Sequence, residues 1–297
     1  MKPRTYGPFP YVPLPERPRL VWPNGARVAL WIAPNLEFFG LDSNLPGPGN
    51  ERLPDEKAWR PAVRSWAVRD YGNRIGVWRI FDVMAKHGVR GTAPLNSSLC
   101  AQHPQIIRRA MELGWEFMGH NRTNSIRCVD VAPEREADEI RVTLDEIAAA
   151  TGHRPVGWLG AGTAETWNTL DHLIAENCRY VGDWTNDEQP YVMTIDGKTI
   201  VSLPYTSDIN DVTCYFHHKM QPEQWEAAVK RHFDVLYREG GDHGRVLCLP
   251  IHPFVTGTPQ RIDAFDAALA HILSHDGVWA ATGSEIVSYY LESGAAI

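Results

Sequence analysis

From residue 27 to the end of the chain, short apolar runs alternate with segments in which apolar residues recur every three or four positions. The first pattern is typical of buried β-strands and the second of amphipathic helices. Strand and helix in alternation predict a parallel sheet, because parallel strands are joined by crossover helices. The number of units favours an α/β fold whose sheet closes, or nearly closes, into a barrel.

The predicted strands are short apolar runs, and they cover 28–33, 89–95, 115–119, 156–159, 180–183, 200–204, 246–251 and 278–281. The predicted helices cover 77–86, 104–113, 133–151, 167–176, 222–240 and 262–275. Two segments lie outside this alternation, a proline-rich extended arm at 1–26 and an irregular stretch at 38–75. Long loops in regular scaffolds are often lids or binding loops. We therefore predict an arm, 1–26, and a single barrel domain, 27–297.

Composition narrows the class of protein. The chain has 297 residues, 43% of them hydrophobic, which is enough for one large core. A net charge of −7 without a Lys/Arg-rich run argues against nucleic acid or an anionic membrane as the partner. No apolar stretch resembles a signal peptide or a membrane span, so we expect a cytoplasmic protein. Five cysteines without a CxxC pattern are expected to be buried structural thiols.

In (β/α) barrels the active site lies at the carboxyl ends of the strands, so the residues that follow each apolar run are the candidates. These include Asn35, Glu37, Asn96, His120, Asn121, Asn124, Gly160 to Glu165, Asp183 to Asp187, and His252. A purely structural barrel has no need to gather titratable groups at one end. The pattern therefore predicts an active site on this rim.

Six stretches occur in an order and spacing that are specific in combination: RDYGNRIGVWRIFDVMAKHGVRGT (69–92), EFMGHNRTNS (116–125), RPVGWLGAGTAET (154–166), YVGDWTNDEQPY (180–191), DVLYREG (234–240) and LPIHPFVTGTPQRI (249–262). Through them the chain resembles the polysaccharide deacetylase (NodB-homology) superfamily, and within it the branch of PuuE-type allantoinases and cyclic imide hydrolases. The resemblance implies a distorted (β/α) barrel of the NodB type and hydrolysis of an amide-type C–N bond. It also implies a homo-oligomer, with a tetramer as the expected state.

The chain departs from the metal-binding pattern of the sugar deacetylases it resembles. Those enzymes hold a divalent metal with a first-strand Asp and the two His of an HxxxH motif, and a neighbouring Asp acts as base. The matching positions here are Asn35 and Glu37, then His120 and Asn124, while His252 matches a late-strand histidine. An amide oxygen binds zinc more weakly than imidazole does. We expect no catalytic metal or other cofactor, and the alternative is Zn, Mn or Mg on Glu37, His120 and Asn124.

Loss of the metal would remove a Lewis acid, so a more reactive substrate is expected. The leaving nitrogen of a cyclic imide, hydantoin-like or ureide ring is stabilised by a second carbonyl group. The sequence therefore predicts ring-opening hydrolysis of a small cyclic amide. Glu37 is the expected general base, and His120 and His252 are the acid or electrophile, in an order that the sequence leaves open.

The remaining candidates are substrate-binding residues: Asn35, Asn121, Asn124, Arg74, Gly160, Gly162 and Trp184. Amide side chains offer a donor and an acceptor to a ring with alternating C=O and N–H groups, although Asn121 fits a turn equally well. Arg74 either binds a carboxylate or pairs with Asp70, and pairing is favoured. The glycines would allow close approach and offer N–H groups to an oxyanion. Trp184 is either a stacking wall or a core residue.

Two alternatives stay open. One is a metal-dependent de-N-acetylase of an N-acetylated sugar that tolerates Asn124 as a ligand. The other is a non-catalytic barrel that binds a carbohydrate or metabolite and lost its base at Asn35. Metal dependence of activity separates the first alternative from ring opening, and the effect of Glu37→Gln tests the second.

Overall fold

The computed structural model describes residues 1–43 and 61–297. Their strands are β1 (Val28–Pro34), β2 (Thr92–Leu95), β3 (Glu116–Gly119), β4 (Gly157–Trp158), β5 (Tyr180–Val181), β6 (Tyr191–Ile195), β7 (Lys198–Ser202), β8 (Arg245–Ile251) and β9 (Val278–Ala280). Their α-helices are α1 (Val63–Tyr71), α2 (Val77–Lys86), α3 (Ser98–Gln102), α4 (Pro104–Glu112), α5 (Glu136–Thr151), α6 (Thr169–Ala175), α7 (Pro222–Glu239), α8 (Ile262–Leu273) and α9 (Gly283–Glu292).

Strand β1 organises the sheet. It pairs in parallel with β8 along its whole length and with β9 over its first three residues. Single bridges, Ile32 to Gly91 and Leu36 to Leu95, then connect it to β2. From β2 the sheet runs through β3, β4, β5 and β7, all parallel, to the antiparallel strand β6. The expected distorted barrel is confirmed, and within the described residues no ladder closes it between β7 and β8.

All seven residues of β1 are buried because its two faces meet different apolar clusters. Val28, Leu30 and Ile32 belong to a cluster that includes residues of α2, α7 and α8. The alternate residues Ala29 and Trp31 belong to a second cluster with residues of β7 and β8. Side chains alternate between the faces of a strand, so a strand covered on both faces has a continuous apolar sequence.

The sequence patterns missed several elements. The hairpin of β6 and β7 turns at Asp196 and Gly197, whose φ angles of 48° and 77° are both left-handed. Asp-Gly between apolar runs is a strong signal for such a two-residue turn. Helix α9 also has a visible start, since Thr282 and Glu285 form a capping box.

The predicted irregular stretch at 38–75 was wrong in its last part. Residues 63–71 form α1, which a π-helical turn at Gly72–Gly76 joins to α2. Helix α1 carries charged residues around most of its circumference, so it lacks the apolar stripe that would have indicated a helix. Part of the predicted stretch, residues 44–60, lies outside the described residues.

The N-terminal segment packs against the barrel at several points. Leu20 and Trp22 are buried, and the Arg17 guanidinium donates to both carboxylate oxygens of Asp187 at 2.7 and 2.6 Å. The carbonyl oxygen of Pro8 accepts the N–H of Thr194 on β6 at 2.7 Å. The Pro8 contact ties the segment to β6, whereas Trp22 packs against Trp279 of β9 and Tyr289 of α9.

Two further expectations concern membranes and thiols. Among the described residues, no helix combines the length and the apolar character needed to cross a bilayer. All five cysteines are free, and four of them are buried. The expectation of buried structural thiols is therefore confirmed for four cysteines, whereas Cys100 is half-buried.

Candidate active site

A cavity of about 540 Å³ opens at the carboxyl ends of the strands, within the size range of small-molecule sites. The predicted residues that line it are Asn35, Glu37, His120, Asn124, Gly160, Gly162 and His252. Phe39, Phe216 and Phe254 form apolar parts of the wall. The polar groups of four strand ends therefore meet around one small chamber.

One oxygen of Glu37 is the centre of the polar arrangement. Glu37 is 7% exposed, and its Oε1 lies 3.6 Å from Nε2 of His120 and 3.6 Å from Nε2 of His252. The same oxygen accepts a 2.8 Å hydrogen bond from Nδ2 of Asn124. We call Glu37, His120 and His252 the cavity triad. At 3.6 Å the imidazoles are too far for direct hydrogen bonds to the carboxylate, but a small bridging molecule would reach both.

The hydrogen bonds of His120 fix its tautomer. Nδ1 lies 2.6 Å from the carbonyl oxygen of Leu159, and a carbonyl only accepts, so Nδ1 carries the proton. In the neutral ring Nε2 then holds a lone pair, and this atom is buried without a hydrogen-bond partner in the described structure. Neutral His120 therefore presents an acceptor to the cavity.

His252 is held by a carboxylate that the sequence analysis missed. Asp211 is fully buried, and its Oδ1 lies 2.6 Å from Nδ1 of His252. Its Oδ2 accepts the backbone N–H of His252 at 2.7 Å and the hydroxyl of Thr256 at 2.6 Å. Burial disfavours the charged ring, but the negative charges of Asp211 and Glu37 outweigh it and raise the pKa of His252. His252 is therefore suited to carry a proton that it can donate through Nε2.

Nothing in the sequence around Asp211 marks it out. It begins a short helical segment beyond β7 that continues as a π-helix over Thr213–His217, and no apolar run precedes it. Asp208, three residues earlier, also has no apolar run directly before it. Only the three-dimensional structure shows that Asp211 is the aspartate that contacts His252.

Two buried asparagines position the backbone around the cavity triad. Asn96 Oδ1 accepts the N–H of Phe38 at 2.8 Å, and its Nδ2 donates to the carbonyl oxygen of His120. Asn73 Nδ2 donates to the carbonyl oxygen of Glu37 at 3.0 Å. The segments that carry Glu37 and His120 are thus joined through amide side chains.

The YGNRIG segment packs directly against the loop that follows His252. A Cβ on Gly76 would lie 2.0 Å from the carbonyl oxygen of Pro253, and one on Gly72 would lie 2.6 Å from the backbone nitrogen of Phe254. Neither approach is compatible with a side chain. These two glycines therefore bring the helical segment close enough to support the His252 loop.

Three predicted residues lie outside the cavity lining. Asn121 is fully buried with φ 56°, and its Oδ1 accepts the N–H of Ala161 at 2.9 Å, so it supports a turn. Arg74 is exposed, whereas Arg69 lines the cavity. Trp184 packs edge-on against Phe9 at 5.7 Å between ring centroids.

The N–H group of Gly160 does not have the expected role of an oxyanion donor. That group donates to Asp183 Oδ1 at 2.7 Å and is already used. Burial raises the pKa of Asp183 to about 6, and burial together with the charge of Asp183 raises the pKa of Glu165. The pair therefore retains a proton more readily than exposed carboxylates, behind the wall that Gly160 forms.

The residues present do not fit a zinc ion. A carboxylate only accepts hydrogen bonds, so Asn124 must turn its NH₂ group, and not its oxygen, towards Glu37. The ligand atoms of the cavity triad are not all within 4.8 Å of one another. Two ligands of one zinc ion, at about 2.0–2.2 Å each, cannot be more than about 4.4 Å apart.

Comparison with known proteins shows what this chain is similar to. The family model described as Polysaccharide deacetylase matches residues 67–181. A protein of Schizosaccharomyces pombe, whose name places it among the polysaccharide deacetylases, is 26% identical over 89% of this chain and 90% of its own length. The chain is thus similar to polysaccharide deacetylases, in the segment that the family model matches and along most of the length of this relative. These similarities indicate a hydrolase of carbon–nitrogen bonds other than peptide bonds.

Two solved structures share the fold of this chain. A probable polysaccharide deacetylase from Pseudomonas aeruginosa PAO1 superimposes with a TM-score of 0.80 at 24% identity, covering 91% of this chain and 93% of that one. PuuE allantoinase superimposes with a TM-score of 0.83 at 23% identity, covering 93% of this chain and 94% of that one. These similarities confirm the NodB-type architecture.

Proposed function

We propose that this protein hydrolyses a small cyclic imide, hydantoin-like or ureide ring without a catalytic metal. The observation that carries the proposal is the position of Glu37 Oε1, 3.6 Å from Nε2 of both histidines and oriented by Asn124 at 2.8 Å. This is an acid–base arrangement: the buried carboxylate of Glu37 lies beside His120, whose Nε2 accepts a hydrogen bond, and beside His252, whose Nε2 can donate one.

Glu37 is the proposed general base. A water molecule bound to Glu37 Oε1 and His120 Nε2 would meet two acceptors, so its hydrogens would be directed to them and its lone pairs towards the substrate carbonyl carbon. Asn124 holds the carboxylate in place through a charge-assisted hydrogen bond. As the C–O bond forms, the water proton passes to Glu37.

His252 is the proposed acid, which assigns the role that the sequence left open. Its Nδ1 donates to Asp211, so the proton on Nε2 faces the cavity when the ring is charged. That proton first stabilises the developing oxyanion and then passes to the leaving nitrogen when the C–N bond breaks. The proton that Glu37 took then passes through solvent to His252, which restores both groups. The new carboxyl group loses its own proton to solvent, so the products are a carboxylate and a ring-opened amide.

The cavity supports a small planar substrate. Phe216 and Phe254 lie nearly parallel, with ring centroids 6.4 Å apart and an interplanar angle of 17°, and Phe39 meets Phe254 edge-on at 6.3 Å. A flat imide ring can pack against such walls. An imide nitrogen also leaves as a delocalised anion, so it needs less activation than the amine of a simple acetamide.

The test is an assay of metal-stripped protein on succinimide, hydantoin, allantoin and an N-acetylated chito-oligosaccharide, with and without added Zn²⁺, Mn²⁺ or Mg²⁺. We expect ring opening of at least one cyclic substrate with metal-stripped enzyme, and its loss in Glu37→Gln. Deacetylation of the oligosaccharide that requires added metal would instead support the deacetylase alternative. A wild-type protein that binds ligands but is inert on every substrate would refute catalysis.

A further inference from the structure

A second group of two histidines and one carboxylate lies on the outer helical layer. Asp234 is on α7, His271 is on α8, and His275 lies two residues beyond the end of α8. The sequence HILSH places the two imidazoles one helical turn apart, with ring centroids 4.9 Å from each other. One potential ligand atom from each of the three residues lies within 4.8 Å of the other two. We call this group the surface triad.

Both imidazoles are oriented by their surroundings. The ring of Phe233 meets His271 and His275 edge-on at 5.7 and 5.0 Å, and Tyr237 meets His275 at 5.1 Å. His275 Nδ1 lies 2.9 Å from the carbonyl oxygen of His271, so that nitrogen donates its proton. A histidine whose Nδ1 donates to a carbonyl group presents the lone pair of Nε2, which is how metal-binding histidines are usually fixed.

The carboxylate already reaches the second imidazole. Asp234 Oδ1 lies 2.8 Å from Nε2 of His271, and side-chain exposures of 49% and 28% leave both groups open to solvent. An ion that entered here would replace this hydrogen bond by bonds to both groups, as His271 moves its proton from Nε2 to Nδ1. Solvent could supply the fourth ligand.

We propose that Asp234, His271 and His275 form a binding site for a divalent transition-metal ion of the zinc class. Two imidazole nitrogens and one carboxylate oxygen are a ligand set that zinc accepts, with one position left for water. The site links α7 to the C-terminal end of α8 on the outside of the barrel. An ion bound here would be separate from the cavity triad.

The test is calorimetric titration of the metal-stripped full-length chain with zinc chloride. We expect one site, and we expect His275→Ala to weaken it by at least the roughly 10- to 100-fold that loss of even an outer-shell partner costs. The double variant His271→Ala/His275→Ala should abolish binding. His218→Ala, which removes an exposed histidine elsewhere, is the matched control and should bind as wild type does.

Two further variants keep the outcome decisive. Asp234→Asn preserves size and removes the anionic ligand at an exposed position, so it should weaken binding without loss of the far-UV circular dichroism of the folded chain. Glu37→Gln should leave zinc binding unchanged. Absence of zinc binding in the wild type would overturn the proposal. So would binding that survives the double histidine variant, or binding that is lost in Glu37→Gln.

Discussion

The cavity triad and the surface triad have the same composition, two histidines and one carboxylate, yet they differ in almost every physical respect. In the cavity triad each Nδ1 donates to a fixed acceptor and both Nε2 atoms lie 3.6 Å from one oxygen. In the surface triad the carboxylate bonds directly to one imidazole at 2.8 Å, and all three ligand atoms converge. The first geometry suits proton transfer and the second suits an ion. The groups around a side chain decide its chemistry more than its identity does.

The largest expected effect is a loss of activity when the carboxylate of the cavity triad is changed, with no loss when that of the surface triad is changed. Glu37→Gln keeps the size of the side chain and removes the base, so kcat/KM should fall about 1,000-fold, within the roughly 10²- to 10⁴-fold range of general base catalysis. Initial rates on the cyclic substrate measure this. Asp234→Asn makes the matched change in the surface triad and should leave kcat/KM unaltered. Equal losses in the two variants would contradict the assignment.

The next effect concerns the pH dependence of the acid. Because the charges of Asp211 and Glu37 raise the pKa of His252, the acid form persists to higher pH, and the rate should fall as pH rises through that pKa. Asp211→Asn removes the first of these charges and lowers the pKa. The alkaline limb of the kcat profile should therefore move to lower pH, with roughly 100-fold lower kcat at neutral pH. An alkaline limb that stays in place would exclude His252 as the acid.

A smaller loss is expected at Asn124. Asn124→Leu removes the hydrogen bond that orients the Glu37 carboxylate, a charged interaction worth about 1.5–3 kcal/mol, so kcat/KM should fall roughly 10- to 100-fold. The control is Asn168→Leu, an exposed asparagine beside α6, which should retain full activity. If both variants behaved as wild type, the carboxylate would have to be positioned by its backbone alone.

The smallest effect is expected on the free energy of unfolding when the surface triad is changed in the absence of metal. The Asp234–His271 pair is partly exposed, so Asp234→Asn should change the free energy of unfolding by less than about 1 kcal/mol. Zinc at 100 times its dissociation constant should stabilise the wild type by about 2.7 kcal/mol, and it should not stabilise His271→Ala/His275→Ala. Thermal denaturation with and without zinc measures both quantities.

Much of the fold could be predicted because local sequence and tertiary environment agree. Helix α2 has the predicted bounds, 77–86, since its apolar stripe faces the core, and β1 begins at Val28 as predicted because it is buried on both faces. Helix α1 was not predicted because its sequence lacks the apolar stripe by which a helix is recognised. The Asp-Gly turn at 196–197 was an available signal for the hairpin that was not used.

The site could be predicted only in part. Glu37, His120 and His252 follow apolar strands, and the carboxyl-end rule places them together. Asp211 follows no strand, and its role exists only through its 2.6 Å contact with His252, which no local pattern encodes. The HxxxH spacing at 271–275 was visible, but spacing alone does not reveal the Asp234 carboxylate on another helix.

The outer edge of β6 has a consequence for handling the protein. The N–H groups of Val192 and Thr194 point away from β7 and donate to the carbonyl oxygens of Ile297 and Pro8, each at 2.7 Å. An uncovered edge strand is a template for pairing with another molecule and for aggregation. Two segments distant in sequence thus cover this edge, and a change that displaces either segment would leave N–H groups of β6 free to pair with another molecule.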